Sequence, residues 1–183
     1  MVSAEGGAPR RLTPPSIWAM VPSWSRDGKW IYFCKNWGIW KMPAQGGEGV
    51  QVTKQGLETR ESEDGKWLYF SRPSDSPDGK TAILRMPAGG GPETLVFDGV
   101  TNRFWALAGQ YLYFMHLDAK LHGTISRFNL ATRQITRIAD VEKDPYKIVG
   151  WTGFSVSSDG EQIIYPQLDE QISRIMLVEN FRW

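Results

Sequence analysis

The chain has 183 residues and a formal net charge of +1, with 20 acidic against 21 basic side chains. That balance offers no electrostatic footprint for nucleic acid or an anionic membrane, and no apolar run reaches the ~18 residues of a membrane span. The lone cysteine, Cys34, excludes an intrachain disulfide, while 19 glycines and 9 tryptophans point to many short strands joined by tight turns.

The N-terminal stretch "MVSAEGGAPRRLTPPS" has no basic flank followed by an apolar segment, so it does not read as a secretory signal. A soluble protein, cytoplasmic or periplasmic, is expected. Residues 4–13, "AEGGAPRRLT", align with "AQGGEGVQVT" at 44–53. The chain is therefore expected to start at the turn before an outer strand.

The first unit, about residues 17–53, runs through "WSRDGKWIYF" (24–33), then "GIWKMP", then a Gly-Gly turn and "VQVT". This predicts four strands, A to D. Ser25, Asp27 and Gly28 form the A–B turn, in which the Asp accepts backbone hydrogen bonds and the glycine takes positive φ. Strand B, "KWIYFC", does not alternate apolar with polar residues. A sandwich strand with one wet face would alternate, so both faces are expected to be covered by neighbouring sheets, as in a propeller.

The second unit (57–97) repeats the pattern with "ESEDGKWLYF" (61–70) and "AILRMPAGGGPETLVF" (82–97). Its extra Ser76–Gly79 motif reads as a loop between strands B and C. The third unit (102–138) keeps only Gly109 of the Asp-Gly pair, in "ALAGQYLYF" (106–114), and is followed by "GTISRFNLATRQITRI" (123–138). The fourth (147–183) carries "VSSDGEQIIY" (156–165) and ends in "QISRIMLVENFRW", with A, B and C strands but no D. The spacing is near the ~40–50 residues of a propeller blade. Glycines and prolines interrupt every window long enough for a helix.

With Ser-x-Asp-Gly-Lys-Trp-Ile/Leu-Tyr-Phe, "IWKMPAQGGE" and "LVENFRW" in view, the whole chain resembles the TolB-like, WD40-like propeller repeats common in bacterial proteins. The resemblance implies an all-β propeller of four four-stranded blades and leaves function open, because this repeat serves many proteins. The missing D strand and the leading D strand are complementary. Ala8–Thr13 is expected to complete the last blade, either of its own chain or of a second copy in an eight-bladed homodimer ring. A third reading makes the chain part of a longer propeller.

Chemistry is sparse. His116 and His122 flank Asp118, which could hold zinc in principle, but no third His or Cys supports it. No metal or cofactor is assigned. Cys34 lies in a strand, where an inert thiol is expected. "AGGGPE" (88–93) recurs at equivalent turns and precedes no helix, so it reads as architecture rather than a phosphate loop. Lys41, Arg85 and Arg127 recur on C strands, where solvation or pairing with a neighbouring blade's carboxylate is expected.

The reading is a non-enzymatic scaffold presenting its D–A and B–C loops to a protein partner. The alternative is a small-molecule or carbohydrate site at the channel mouth. Candidate binding residues are Trp18, Trp37, Arg60, Arg103, Trp105, Tyr146 and Trp151, since aromatic residues and arginine dominate hot spots. Among the tryptophans, Trp24, Trp40 and Trp105 are expected to pack, Trp30 and Trp67 to fill between blades, and Trp37 divides evenly between binding and packing.

Overall fold

The computed structural model describes residues 1–75, 80–101, 103–118, 120, 122–141 and 153–165. Three four-stranded antiparallel sheets follow one another, each in simple sequence order. Blade 1 is β1 (Met20–Trp24), β2 (Trp30–Lys35), β3 (Gly38–Pro43) and β4 (Val50–Gln51). Blade 2 is β5 (Thr59–Glu61), β6 (Trp67–Pro73), β7 (Thr81–Pro87) and β8 (Thr94–Val100), and blade 3 is β9 (Trp105–Ala108), β10 (Tyr111–Leu117), β11 (Gly123–Asn129) and β12 (Ile135–Val141). The pair β13 (Ser155–Val156) and β14 (Ile163–Ile164) supplies strands A and B of blade 4.

The repeat works as its residues dictate. In blade 1 the Ser25 hydroxyl donates to Asp27 Oδ1 at 2.7 Å, Lys29 N–H donates to the same oxygen at 3.0 Å, and Trp30 N–H donates to Ser25 Oγ at 2.9 Å. Gly28 closes the turn at φ 68°. Ser62, Asp64 and Gly65 repeat this network in blade 2, and Ser157, Asp159 and Gly160 in blade 4. All three aspartates are held below the ordinary carboxylate value, first by the serine hydrogen bond and then by a backbone N–H.

The B strands of blades 1 to 3 are covered on both sides. Tyr32 and Ile39 of blade 1 pack with Leu68, Phe70, Leu84 and Met86 of blade 2. Tyr69, Ile83 and Val100 of blade 2 pack with Trp105, Leu112, Phe114 and Phe128 of blade 3, joined by half-buried Trp67. Tyr113, Met115 and Ile125 of blade 3 pack with Phe154 of blade 4. Trp67 is thus the inter-blade filler that the sequence implies, and Trp30 lies half-buried along the groove between blades 1 and 2.

The C-strand cations correct one expectation. Lys41 Nζ lies 4.9 Å from the Trp30 ring, Arg85 4.4 Å from Trp67, and Arg127 4.6 Å from Tyr111. Each covers the first aromatic of its own blade's B strand. The pairing register explains it: Lys41 sits opposite Tyr32, so Trp30 is its diagonal neighbour on the same face.

The first ten residues form a turn of the C–D type. Gly6 and Gly7 have φ of 97° and 111°, like Gly46 and Gly47 (92° and 125°), and Arg10 N–H donates to Met1 O at 2.8 Å. This hairpin docks on blade 1, with Arg10 Nη1 donating to Gln45 O at 2.8 Å. Ala8–Thr13 forms no strand, and the last C strand, its expected partner, lies outside the described residues. The face of blade 1 turned away from blade 2 carries Ile31, Phe33, Met42 and Ala44, packed against Leu12, Ala19 and half-buried Trp40. A hollow of about 310 Å³ beside it is lined by Ile17, Phe33, Trp40 and Met42 among others.

Candidate functional site

The strand order sorts the predicted site residues between the two ends of the blades. At the B–C and D–A end, Trp37 occupies the two-residue loop between β2 and β3, with Lys35 and Gly38 paired across it. Asn36 and Trp37 both have positive φ, 51° and 62°. That is the geometry of a type I′ turn, which favours Asn-Gly. A tryptophan in the second position is held at a backbone cost, and its side chain is 66% exposed. Trp18, at the entry to β1 and so at the same end of blade 1, is 78% exposed.

Arg103 is at that end too, but its role is internal. Its Nε donates to Glu58 Oε1 at 2.9 Å and its Nη2 lies 2.7 Å from the same oxygen, with side chains only 17% and 8% exposed. Glu58 is fixed in turn, its N–H donating to Ser71 Oγ at 3.1 Å. The pair ties the entry of blade 3 to that of blade 2. Trp105 is 1% exposed and lies between the blades, so it packs and offers no surface to a partner. Tyr146 and Trp151 lie outside the described residues.

A cavity of about 300 Å³ lies at the opposite, A–B turn end, where innermost strands converge. Its lining includes Trp24, Arg60, Glu63, Tyr69, Leu107 and Val156. Trp24 is 54% exposed there, which corrects the expectation that it packs. Arg60 projects from β5 over the ring of Trp105, 5.8 Å from its centroid. Nearby, β1 carries a bulge between Met20 and Ser23, with Val21 at φ 46°. A β-branched residue in that region, directly before a proline, is strained.

The remaining chemical candidates have structural employment. Asp118 Oδ1 accepts from the N–H groups of Lys120 (2.8 Å) and His122 (2.9 Å), and His122 Nδ1 lies 3.3 Å from Asp118 Oδ2. His116 turns elsewhere, with Nδ1 3.4 Å from Gly99 O. Among the described residues no three His, Cys, Asp or Glu side chains converge as metal ligands. Cys34 is fully buried, its Sγ 3.6 Å from Gly56 O, and burial pushes its thiol pKa up.

No helix among the described residues is long and apolar enough to cross a membrane. No protein-family model matches this sequence, nor does any curated protein sequence. Solved structures do. A protein assigned as TolB in Agrobacterium tumefaciens superposes with a TM-score of 0.66 at 20% identity, over 85% of this chain and 56% of its own. An oligogalacturonate lyase in complex with manganese gives 0.62 at 16% identity, over 81% and 44%. The β-propeller domain of the Trilobed protease from Pyrococcus furiosus, described as having an open velcro topology, gives 0.52 at 13%, over 76% and 45%. The chain thus spans about half the length of these proteins, and at such identities the likeness is one of fold. With its sequential four-stranded blades and its Ser-x-Asp-Gly turns, the chain has the TolB-like β-propeller fold.

Proposed function

We propose that this propeller is a non-enzymatic scaffold that docks a protein partner through its B–C and D–A loop end, with Trp37 and Trp18 as the contact residues. The observation that carries the reading is Trp37: a large aromatic, 66% exposed, kept in a left-handed turn position where glycine would be at ease. Strain retained on an exposed aromatic is best explained by contact with something outside the chain. The non-enzymatic part is supported by the employment of the reactive groups. The repeated aspartates are turn-formers, Cys34 is buried with its thiol disfavoured as thiolate, and Glu58 is neutralised by Arg103.

The test is photo-crosslinking in cells from a probe at exposed Gln55, whose neighbour Gly56 donates its N–H to Trp37 O at 2.8 Å. A discrete protein adduct is expected, lost when Trp37→Gly is combined with Trp18→Ala. The same probe at Lys29, on the opposite end, serves as control. Equal adducts from both positions, or an adduct indifferent to the tryptophans, would refute the reading.

A homodimer is proposed on separate grounds. The flank of blade 1 away from blade 2 has the kind of residues that meet a neighbouring blade in blades 2 and 3 (Ile31, Phe33, Met42). They are covered by Leu12, Ala19 and Trp40, beside a hollow lined by half-buried Ile17 that a second copy could fill. A second copy laying its last blade there would close a larger ring and cover the edges. Light scattering should then give twice 20.8 kDa, reverting to one on Ile17→Lys. A wild-type monomer would end the idea.

A further inference from the structure

Along β5 the side chains part company. Thr59 shares a 2.6 Å hydrogen bond with Ser23 of blade 1, and Glu61 accepts from Tyr32 Oη and from Arg26 N–H, both at 2.7 Å. Both therefore face blade 1. Arg60, between them, faces blade 3, over Trp105. Its Nη1 donates to Thr59 O at 2.8 Å. Among the described residues no carboxylate lies within ion-pair distance of it. Glu61 has each carboxylate oxygen already engaged, and the exposed rim residues Arg26 and Glu63 offset each other in charge. Arg103 makes the contrast, since its guanidinium has Glu58. Arg60 is thus a half-buried cation lining a cavity, with the Nε and Nη2 edge of its fork uncommitted among these residues.

A guanidinium taken partly out of water is costly unless an anion meets it, and its planar fork matches a carboxylate bidentately. The same cavity exposes the Trp24 ring, a flat apolar surface. Its volume, about 300 Å³, is at the small end of ligand sites. We infer that this cavity binds a small molecule in which a carboxylate is carried on a flat ring, the carboxylate held by Arg60 and the ring lying against Trp24. The site is at the A–B turn end and does not depend on the partner-docking face.

Calorimetric titration of the full chain with benzoate and its neutral isostere benzamide tests this. Benzoate should bind about tenfold or more tightly than benzamide, the difference a charge-assisted bidentate contact gives. Arg60→Gln should erase that preference, whereas Trp24→Ala should weaken both compounds alike. If Arg60→Gln does not fold, because Arg60 packs on Trp105, Arg60→Lys keeps the stem and the charge but loses the fork, and the preference should fall several-fold. Equal binding of the two compounds, no saturable binding of benzoate, or a preference that survives at residue 60 would overturn the inference. Acetyl-phenylalanine set against a tetrapeptide ending in phenylalanine separates a free small molecule from a chain terminus. Tighter binding of the tetrapeptide would overturn the assignment to a small molecule.

Discussion

Replacing Arg103 by methionine keeps much of the stem volume and removes the cation from Glu58. In the native protein that carboxylate is 8% exposed on its side chain and receives two guanidinium contacts on one oxygen, at 2.9 and 2.7 Å. Its backbone is fixed through Ser71, so it has little freedom to swing out to water. Breaking a buried pair from one side typically costs about 3–5 kcal/mol. Arg103 keeps 17% exposure, which places the expectation at the lower end, about 3 kcal/mol. For a chain of this length that corresponds to a fall in Tm of roughly 6–12 °C. Differential scanning calorimetry and urea unfolding would measure it, alongside Glu58→Gln and the double variant. The double variant should cost less than the sum of the singles, because the methionine no longer strands a charge. A drop in Tm under about 2 °C for Arg103→Met, or strict additivity, would refute the coupling of blades 2 and 3 through this pair.

Three further outcomes follow from the geometry. Gly56→Ala should destabilise by about 2 kcal/mol or more, because φ is 153° there and a Cβ would lie 2.6 Å from Ile39 Cδ1; an unchanged urea midpoint would contradict it. Asp27, Asp64 and Asp159 have folded-state pKa values below the ordinary 3.8, so their contribution is present above about pH 4 and is lost as pH falls through the lowered values. Exchanging all three for asparagine should flatten the dependence of stability on pH between 5 and 3, and parallel wild-type and variant curves would show the turn carboxylates to be idle. Cys34, buried and with its thiol pKa raised, should resist Ellman's reagent in native protein and react once urea unfolds it; immediate reaction would reopen it as a reactive group.

Much of the architecture was legible because the repeat sets several residues at once. Ser25, Asp27 and Gly28 imply each other chemically, and "KWIYFC" has no side that could face water, so the turn and the double-sided packing follow from residue types. The N-terminal Gly-Gly turn was legible by alignment, since Gly6 and Gly7 take the left-handed geometry of the later Gly-Gly turns, but the outer strand expected over Ala8–Thr13 does not form. The tryptophans were harder. Trp24 and Trp105 both lie in innermost strands, yet one is open and the other sealed, because only Trp105 has blade 2 laid across it. Arg60 and Arg103 look alike in sequence, and what separates them is a carboxylate from another blade. The aromatic seats of Lys41 and Arg85 did leave a trace. Trp30 and Trp67 each open a B strand, and Lys41 and Arg85 each precede a Met-Pro in the C strand, an equivalence that a cross-strand diagonal would have explained.

Every strand in the three complete blades pairs with the strand next to it in sequence, and no connection crosses a sheet. Each blade can therefore zip up from its own hairpins before its neighbour exists, and only the side-to-side seams need residues from farther along the chain. Stability should then grow seam by seam, so that cutting the chain between blades subtracts one seam and leaves the others standing. The vulnerable surface of such a shortened protein is the bared flank of its terminal blade. Its hydrophobic side chains, shaped to meet another blade, would be the first to recruit a stranger.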